Sequence, residues 1–315
     1  MNYTENLSTS VLWTIGVLYG ILSLVTIGYF WLDHKKKSAQ SKELITRTQS
    51  WWFLMVVVGL IVLSPALIGT IVLAYLAFMG SRELYSIGNL KFTDRAAILV
   101  AYLLIPIQFY LAYTFQYHWF LNFIPMVGLT LIPIVLILSG YSGNIGRSIT
   151  FIPGVLMLTA YSFSHMVLIY GLDIEGYAIG AGGILLFLIL ITELNDIFQY
   201  NWGKAFGKHV ILPRISPNKT WEGFLGGVFT TTLVAGIFHF LTPLSFIQSM
   251  IAGLLLSVFG FFGDALLSAI KRDLKVKDTD DLIPGHGGVM DRMDSLVFNA
   301  PVFFYLITLF TNQNL

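Results

Sequence analysis

Two stretches of this chain concentrate side chains that can do chemistry. The longer runs from Gly263 to Ser295 and carries Asp264, Ser268, Lys271, Arg272, Lys277 and Asp278, then Pro284-Gly285-His286-Gly287-Gly288, then Asp291, Arg292 and Asp294. Asp264 closes one apolar run, and Asp291 with Asp294 precedes another, so three carboxylates flank one loop at the same depth. Hard oxygen ligands of this kind suit Mg²⁺, which takes one or two carboxylates and shares its other positions with water and substrate phosphates. The spacing of Asp291 and Asp294 puts them on one face of a helical turn. Helix capping competes evenly as a role for Asp294, because Asp is favoured in a first turn. It competes weakly for Asp264, where an acid at a helix C-terminal end opposes the macrodipole and borders hydrocarbon. Lys271, Arg272 and Lys277 stand beside these acids and fit a phosphate ligand. The glycines around His286 let the backbone approach a ligand and present N–H groups to anions.

The shorter stretch repeats the theme with less specificity. Glu193 and Asp196 end an apolar run at i and i+3, and acids at that depth are functional candidates by default. Lys204 and Lys208 follow, then Ser216-Pro217-Asn218-Lys219-Thr220, which offers hydroxyls and a cation to a phosphate or a nucleobase. A proline turn leading into a Ser/Thr-capped helix explains the same residues about equally well. His165, lone in an apolar run, reads as a hydrogen-bonded core residue. Trp51, Trp52 and Trp119 read as anchors at a membrane interface.

The elements that must position these groups are set by hydropathy. Of 315 residues, 56% are hydrophobic and 11% charged, and the mean hydropathy is +0.76. A soluble domain carries roughly a quarter charged residues, so a soluble domain, a disordered chain and a nucleic-acid binder with a basic face are all excluded. No cysteine is present, which removes disulfides, thiolate metal sites and Cys nucleophiles. A helix needs roughly 20 apolar residues to cross a bilayer. Suitable runs are Val11–Leu32, Ala96–Phe115, Phe120–Leu138, Thr150–Tyr170, Tyr177–Ile191, Phe224–Leu241, Phe246–Phe262 and Leu296–Phe310. The uncharged stretch Trp51–Gly80 is long for one helix and short for two, and Ser64-Pro65 lies near its middle.

Basic residues gather in cytoplasmic loops near helix ends. If Trp51–Gly80 is a hairpin of two short helices, all 18 Lys and Arg fall on one face. The expectation is an all-α, polytopic membrane protein of about ten helices, with both termini outside and the two chemistry-bearing loops inside. Met1–Ser10 has no basic residue and the basic cluster follows the first run, the charge order of an uncleaved anchor. The chain divides into an accessory helix with a basic loop (1–50), an N-terminal bundle (51–175) and a catalytic region (176–315). No internal repeat is evident.

Ser268-x-Ile270-Lys271-Arg272-x4-Lys277-Asp278, continuing to Pro284-x-His286-Gly287-Gly288-Val289-x-Asp291-Arg292-Met293-Asp294, resembles the signature of the phosphatidate cytidylyltransferases, the CDP-diacylglycerol synthases. Its spacing holds across 27 positions, with Asp280 standing where a small residue is usual. Ser216-Pro217-x-Lys219-Thr220-Trp221-Glu222-Gly223 is similar to the family's second conserved stretch. Asn218 replaces a common lysine there, and Asn195-Asp196-Ile-Phe-Gln-Tyr200 departs from a more usual Asp-x-x-Ala-Tyr, which marks a divergent subgroup.

The resemblance implies transfer of CMP from CTP to phosphatidic acid, giving CDP-diacylglycerol and pyrophosphate. It implies Mg²⁺, with K⁺ as a further candidate, on acids matching Asp264 and Asp291; the spacing adds Asp294 as ligand or orienter, and its depth adds Asp196 as a candidate further acid. Lys271, Arg272, Lys277 and Lys219 would hold the triphosphate and the lipid phosphate. Ser216, Ser268, Asp278, His286, Gly287, Gly288 and Arg292 complete the expected substrate contacts. The expected partners are CTP, phosphatidic acid and membrane lipids, not nucleic acid, with a homodimer as a candidate assembly and the inner membrane as the location in a bacterium. An isoprenoid-lipid kinase or cytidylyltransferase would share this chemistry. A transporter using the acidic helix ends as an ion site is the alternative of a different class. Transporters commonly show repeated halves, and the charges here cluster at one edge.

Overall fold

The structure, a computed structural model, describes residues 8–36, 39–140, 145–280 and 287–313. Its described residues form ten helical spans in chain order: α1 (Thr9–Lys36), α2 (Ala39–Leu63), α3 (Ala66–Ile87), α4 (Arg95–Tyr113), α5 (Tyr117–Leu138), α6 (Ile145–Gly171), α7 (Ala181–Phe206), α8 (Trp221–Leu241), α9 (Phe246–Asp273) and α10 (Met290–Phe310). Among the described residues nine are long and apolar enough to cross a membrane, and the tenth, α2, has a shorter apolar part, Trp51–Leu63. This is an all-α multi-pass membrane protein. The uncharged stretch Trp51–Gly80 is split at Ser64-Pro65, as the proline's missing N–H demands.

Burial ranks the spans. Of the apolar window in α1, 17% is buried, against 78% in α6, so α6 is the centre and α1 a peripheral strut. The outward faces of α1 are Trp13, Leu24 and Trp31, as a lipid-facing helix requires. Hydrogen bonds tie it to α2, among them the Tyr19 hydroxyl donating to the Met55 carbonyl and Trp52 Nε1 donating to Thr26 Oγ1. Around α6 the core is aromatic and aliphatic, with Phe163, Phe187, Phe303 and Phe304 fully buried and Phe187 stacked on Phe303 at 5.4 Å. His165 is buried there, its Nδ1 donating to the Tyr161 carbonyl at 2.8 Å, the core role its setting suggested. Two spans contain π-helical turns, Phe123–Gly128 in α5 and Met157–Tyr161 in α6. Pro125 lies within the first and Pro153 one turn before the second, where lost backbone donors loosen the usual ladder.

The helices that carry the chemistry run further than their apolar residues. α7 continues past Ile191 to Phe206, and α9 continues past Phe262 to Asp273. Asp196 and Asp264 therefore stand within helices rather than at their ends. At 1.5 Å per residue the 28 residues of α9 reach about 42 Å, more than the roughly 30 Å of a bilayer core. The polar extension persists because Asp264, Ser268 and Lys271, at i, i+4 and i+7, share one face and find protein partners there.

Between α7 and α8 the chain forms a two-stranded antiparallel hairpin, β1 (Val210–Leu212) and β2 (Ser216–Thr220). Hydropathy gave no sign of it. Its base is closed by Glu222, whose carboxylate accepts from the Lys208 and His209 amides and from His209 Nδ1. Thr220 then caps α8, accepting from the Gly223 amide at 3.2 Å. Helices α7 and α8 approach closely because glycines line the seam. A Cβ on Gly227 would fall 2.3 Å from the Gln199 side chain, and one on Gly223 2.8 Å from the Gln199 carbonyl.

Candidate active site

Two lysine–carboxylate pairs organise the site. Lys219, near the end of β2, places Nζ 2.5 Å from Asp264 Oδ2 and 4.5 Å from the centre of the Phe261 ring. Asp264 Oδ1 accepts from Ser268 Oγ at 3.1 Å, so both of its oxygens are engaged. Lys271, two turns along α9, donates to Asp291 Oδ1 at 2.6 Å. That pair is the more deeply set, with side chains 12% and 7% exposed. Removing one partner of so buried a pair leaves an uncompensated charge, at a cost of about 3–5 kcal/mol.

Behind these pairs the acids crowd together. Asp196, Asp264 and Asp294 are close enough to interact electrostatically, with Lys219, Lys271 and Arg292 supplying the opposing charge. Glu193 joins from one turn deeper, interacting with Asp196 and Arg292. Ser295 pins the arrangement: its hydroxyl contacts Asp196 Oδ2 at 3.1 Å, and its amide donates to Asp294 Oδ1 at 2.8 Å. One turn further into the bilayer, Asn299 Nδ2 donates to Thr192 Oγ1 at 2.9 Å, which holds α10 against α7. Close passage of α9 past this corner needs Gly263, where a Cβ would lie 2.6 Å from the Asp294 carbonyl.

Asp291 and Asp294, though three apart, take different partners. Asp294 faces the acid group, whereas Asp291 faces Lys271 and a cradle of donors: the Thr279 amide at 2.9 Å, the Thr279 hydroxyl at 3.0 Å and the Gly288 amide at 3.1 Å, all on Oδ2. Gly287 has φ +80°, a left-handed conformation that favours glycine, and a Cβ there would also come 2.8 Å from Asp291 Oδ2. Gly288 thus presents its N–H to a carboxylate of the chain itself.

The remaining expected residues divide. Arg272 turns toward the hairpin, its Nε donating to the Ile215 carbonyl at 3.3 Å and so bracing the β1–β2 turn from α9. Ser216 begins β2 and is half-buried, and Lys277 and Asp278 are exposed on the segment that follows α9. His286 lies outside the described residues. The principal residue that the sequence reading passed over is Glu83, on α3, far from either chemistry-bearing stretch. Its oxygens accept from the Val289 and Met290 amides, each at 2.8 Å, and from the Thr279 hydroxyl at 3.0 Å. The available signal was an acid just past the end of an uncharged hairpin, beside Arg82.

In chemical terms, the site offers hard carboxylate oxygens and ammonium groups side by side, where the polar extensions of α7 and α9 meet the start of α10. Carboxylates of this kind suit a hard divalent cation. As drawn, Lys219 covers Asp264, and among the described residues no three carboxylate, histidine or thiol groups converge as a metal-ligand set.

The family described as "Cytidylyltransferase family" matches residues 45–310. An uncharacterized protein of Escherichia coli, YnbB, is 34% identical over 298 residues, which cover 93% of this chain and 97% of that one. Phosphatidate cytidylyltransferase of Bacillus subtilis is 35% identical over 179 residues, 56% of this chain and 66% of that protein. The Aquifex aeolicus enzyme of the same name is 44% identical over 124 residues, 39% of this chain and 46% of that protein. The match therefore spans less than two thirds of either of these two enzymes.

Proposed function

Since this chain belongs to the cytidylyltransferase family, we propose that it transfers CMP from CTP to phosphatidic acid, giving CDP-diacylglycerol and pyrophosphate. The observation that carries the reading is the pairing of Lys219 with Asp264 and of Lys271 with Asp291 around one group of acids. The acceptor, a lipid phosphate, is already an anion, so no strong general base is needed. The difficulty is to bring two polyanions together, and positioning with charge neutralisation supplies most of the catalysis.

Asp264, Asp294 and Asp196 offer the hard oxygens that suit Mg²⁺ but do not converge on one point here; drawn together around it, they would hold an ion that neutralises triphosphate charge and polarises the phosphate under attack. Asp291 is left to Lys271, since its Oδ2 already takes three donors from Thr279 and Gly288, whereas Asp264 is freed once Lys219 leaves it. Lys219 then exchanges its carboxylate partner for substrate phosphate, the motion its flexible stem permits. Lys271, held by Asp291, would meet a second phosphate. The pyrophosphate leaves with its charge balanced by the same cations. We place these loops on the cytoplasmic side, where the basic residues gather, so that CTP arrives from the cytosol and the phospholipid from the inner leaflet.

The deciding experiment incubates the purified protein with labelled CTP and phosphatidic acid in detergent, with and without Mg²⁺. A labelled CDP-lipid with release of pyrophosphate, lost on omission of Mg²⁺ and in Asp264→Asn, supports the reading. A phosphorylated lipid with release of CDP refutes it in favour of a CTP-dependent lipid kinase.

A further inference from the structure

Glu83 has no place in the chemistry above, yet it is 1% exposed and fully hydrogen-bonded to the segment that carries Asp291. Burying a carboxylate costs several kcal/mol unless its oxygens are matched by donors. Here the match comes from a distant part of the chain. Oε1 accepts from the Val289 amide, and Oε2 accepts from the Met290 amide and from the Thr279 hydroxyl. Val289 and Met290 open α10, where backbone amides lack helical partners and favour a negative charge. Glu83 thus caps α10 from another helix.

The cap is shared with Asp291. The Thr279 hydroxyl lies 3.0 Å from Glu83 Oε2 and 3.0 Å from Asp291 Oδ2, and its single hydrogen serves one of them at a time. Gly288, between the two carboxylates, has no room for a side chain: a Cβ would sit 2.3 Å from Thr279 Oγ1 and 2.4 Å from Glu83 Oε2. The mount behind Glu83 is firm. Ser81 Oγ meets Thr159 Oγ1 at 2.7 Å, and the Tyr85 hydroxyl donates to the Ile152 carbonyl at 2.9 Å, both joining α3 to α6. Three donors spread over two oxygens require a group that only accepts. A glutamine in the same place offers one acceptor and turns an N–H₂ toward donors.

We propose that Glu83 is a positioning residue for the transfer reaction: it fixes Thr279 and the 288–291 turn against each other, so that Asp291 holds Lys271 in place to meet the substrate phosphate. Its kinetic consequence rests on the function proposed above; its structural consequence does not.

The experiment compares wild type, Glu83→Gln and Glu83→Asp as full-length protein in detergent, by hydrogen exchange and by steady-state kinetics. In Glu83→Gln the amides of 287–293 should exchange about tenfold faster or more, the expectation for losing one charge-assisted hydrogen bond. Exchange in α7 and α8 should stay unchanged. The kcat should fall by about tenfold or more while KM for CTP moves less than about threefold, and Glu83→Asp should recover part of both. Exchange of 287–293 within about twofold of wild type, or equal acceleration in every helix, overturns the proposal. If Glu83→Gln does not fold, Thr279→Val removes the shared hydroxyl alone and is judged by the same two readouts. A wild type without CTP:phosphatidate turnover defeats the proposed function, and the exchange measurement still decides the tether.

Discussion

Replacing Gly288 by alanine adds one methyl group at the most crowded point of the site. The new carbon would stand 2.3 Å from Thr279 Oγ1 and 2.4 Å from Glu83 Oε2. Ordinary contact begins near 3.4 Å, so each oxygen is about 1 Å too close. Neither is the loose end of a flexible side chain, since Glu83 is held by three donors and Thr279 by two carboxylates. Relief requires giving up at least one hydrogen bond to a charged group, about 2 kcal/mol, and leaves overpacking strain of about 1 kcal/mol or more. About 3 kcal/mol withheld from the transition state is about a hundredfold in kcat/KM. The assay is CDP-lipid formation from labelled CTP in detergent, with thermal inactivation followed in parallel. Gly154→Ala is the control, because a Cβ there meets nothing within 4 Å and alanine is the better helix former. It should retain full activity with unchanged or slightly raised thermal resistance. Gly288→Ala with turnover within about twofold of wild type would refute the reasoning, because the loop could then absorb a methyl group that the geometry forbids.

Two further outcomes are expected. The chain has no cysteine, so single cysteines report sidedness directly. Introduced at Lys208 or Lys275, a cysteine should resist a membrane-impermeant thiol reagent in intact cells, whereas one at Gln116 or Glu175 should react; the reverse pattern would invert the proposed orientation. At the α7–α8 seam, Gly227→Val pushes two branches into a space already closed at 2.3 Å by Gln199. It should destabilise the protein by about 2–3 kcal/mol, seen as thermal inactivation several degrees lower, and wild-type resistance would count against the seam as drawn.

Legibility from sequence followed the physics of each feature. The number of spans could be read because hydrocarbon tolerates so few charges, and because Pro65 cannot continue a ladder that needs its N–H. The ends of α7 and α9 could not, since Asp196, Asp264 and Lys271 look like loop residues until their partners are known. Those partners lie across the fold: Lys219 meets Asp264 and Lys271 meets Asp291 through helix packing, which residue spacing does not encode. The β1–β2 hairpin escaped for the opposite reason. It rests on the Glu222 carboxylate and a few amides, without the hydrophobic alternation that marks a strand. Glu83 was hidden by context, as one acid among the charges that follow an apolar run. Its function is visible only once α3 is seen against Val289 and Met290.

The Glu83 tether also limits what recombination can do with this chain. The last four spans carry every residue of the two signature stretches, and on sequence grounds they resemble a cassette that could be moved onto another membrane anchor. A graft of that kind would arrive with its Asp291 cradle open on one side, because the closing carboxylate travels with α3. Any donor scaffold must therefore supply an acid at that depth and angle.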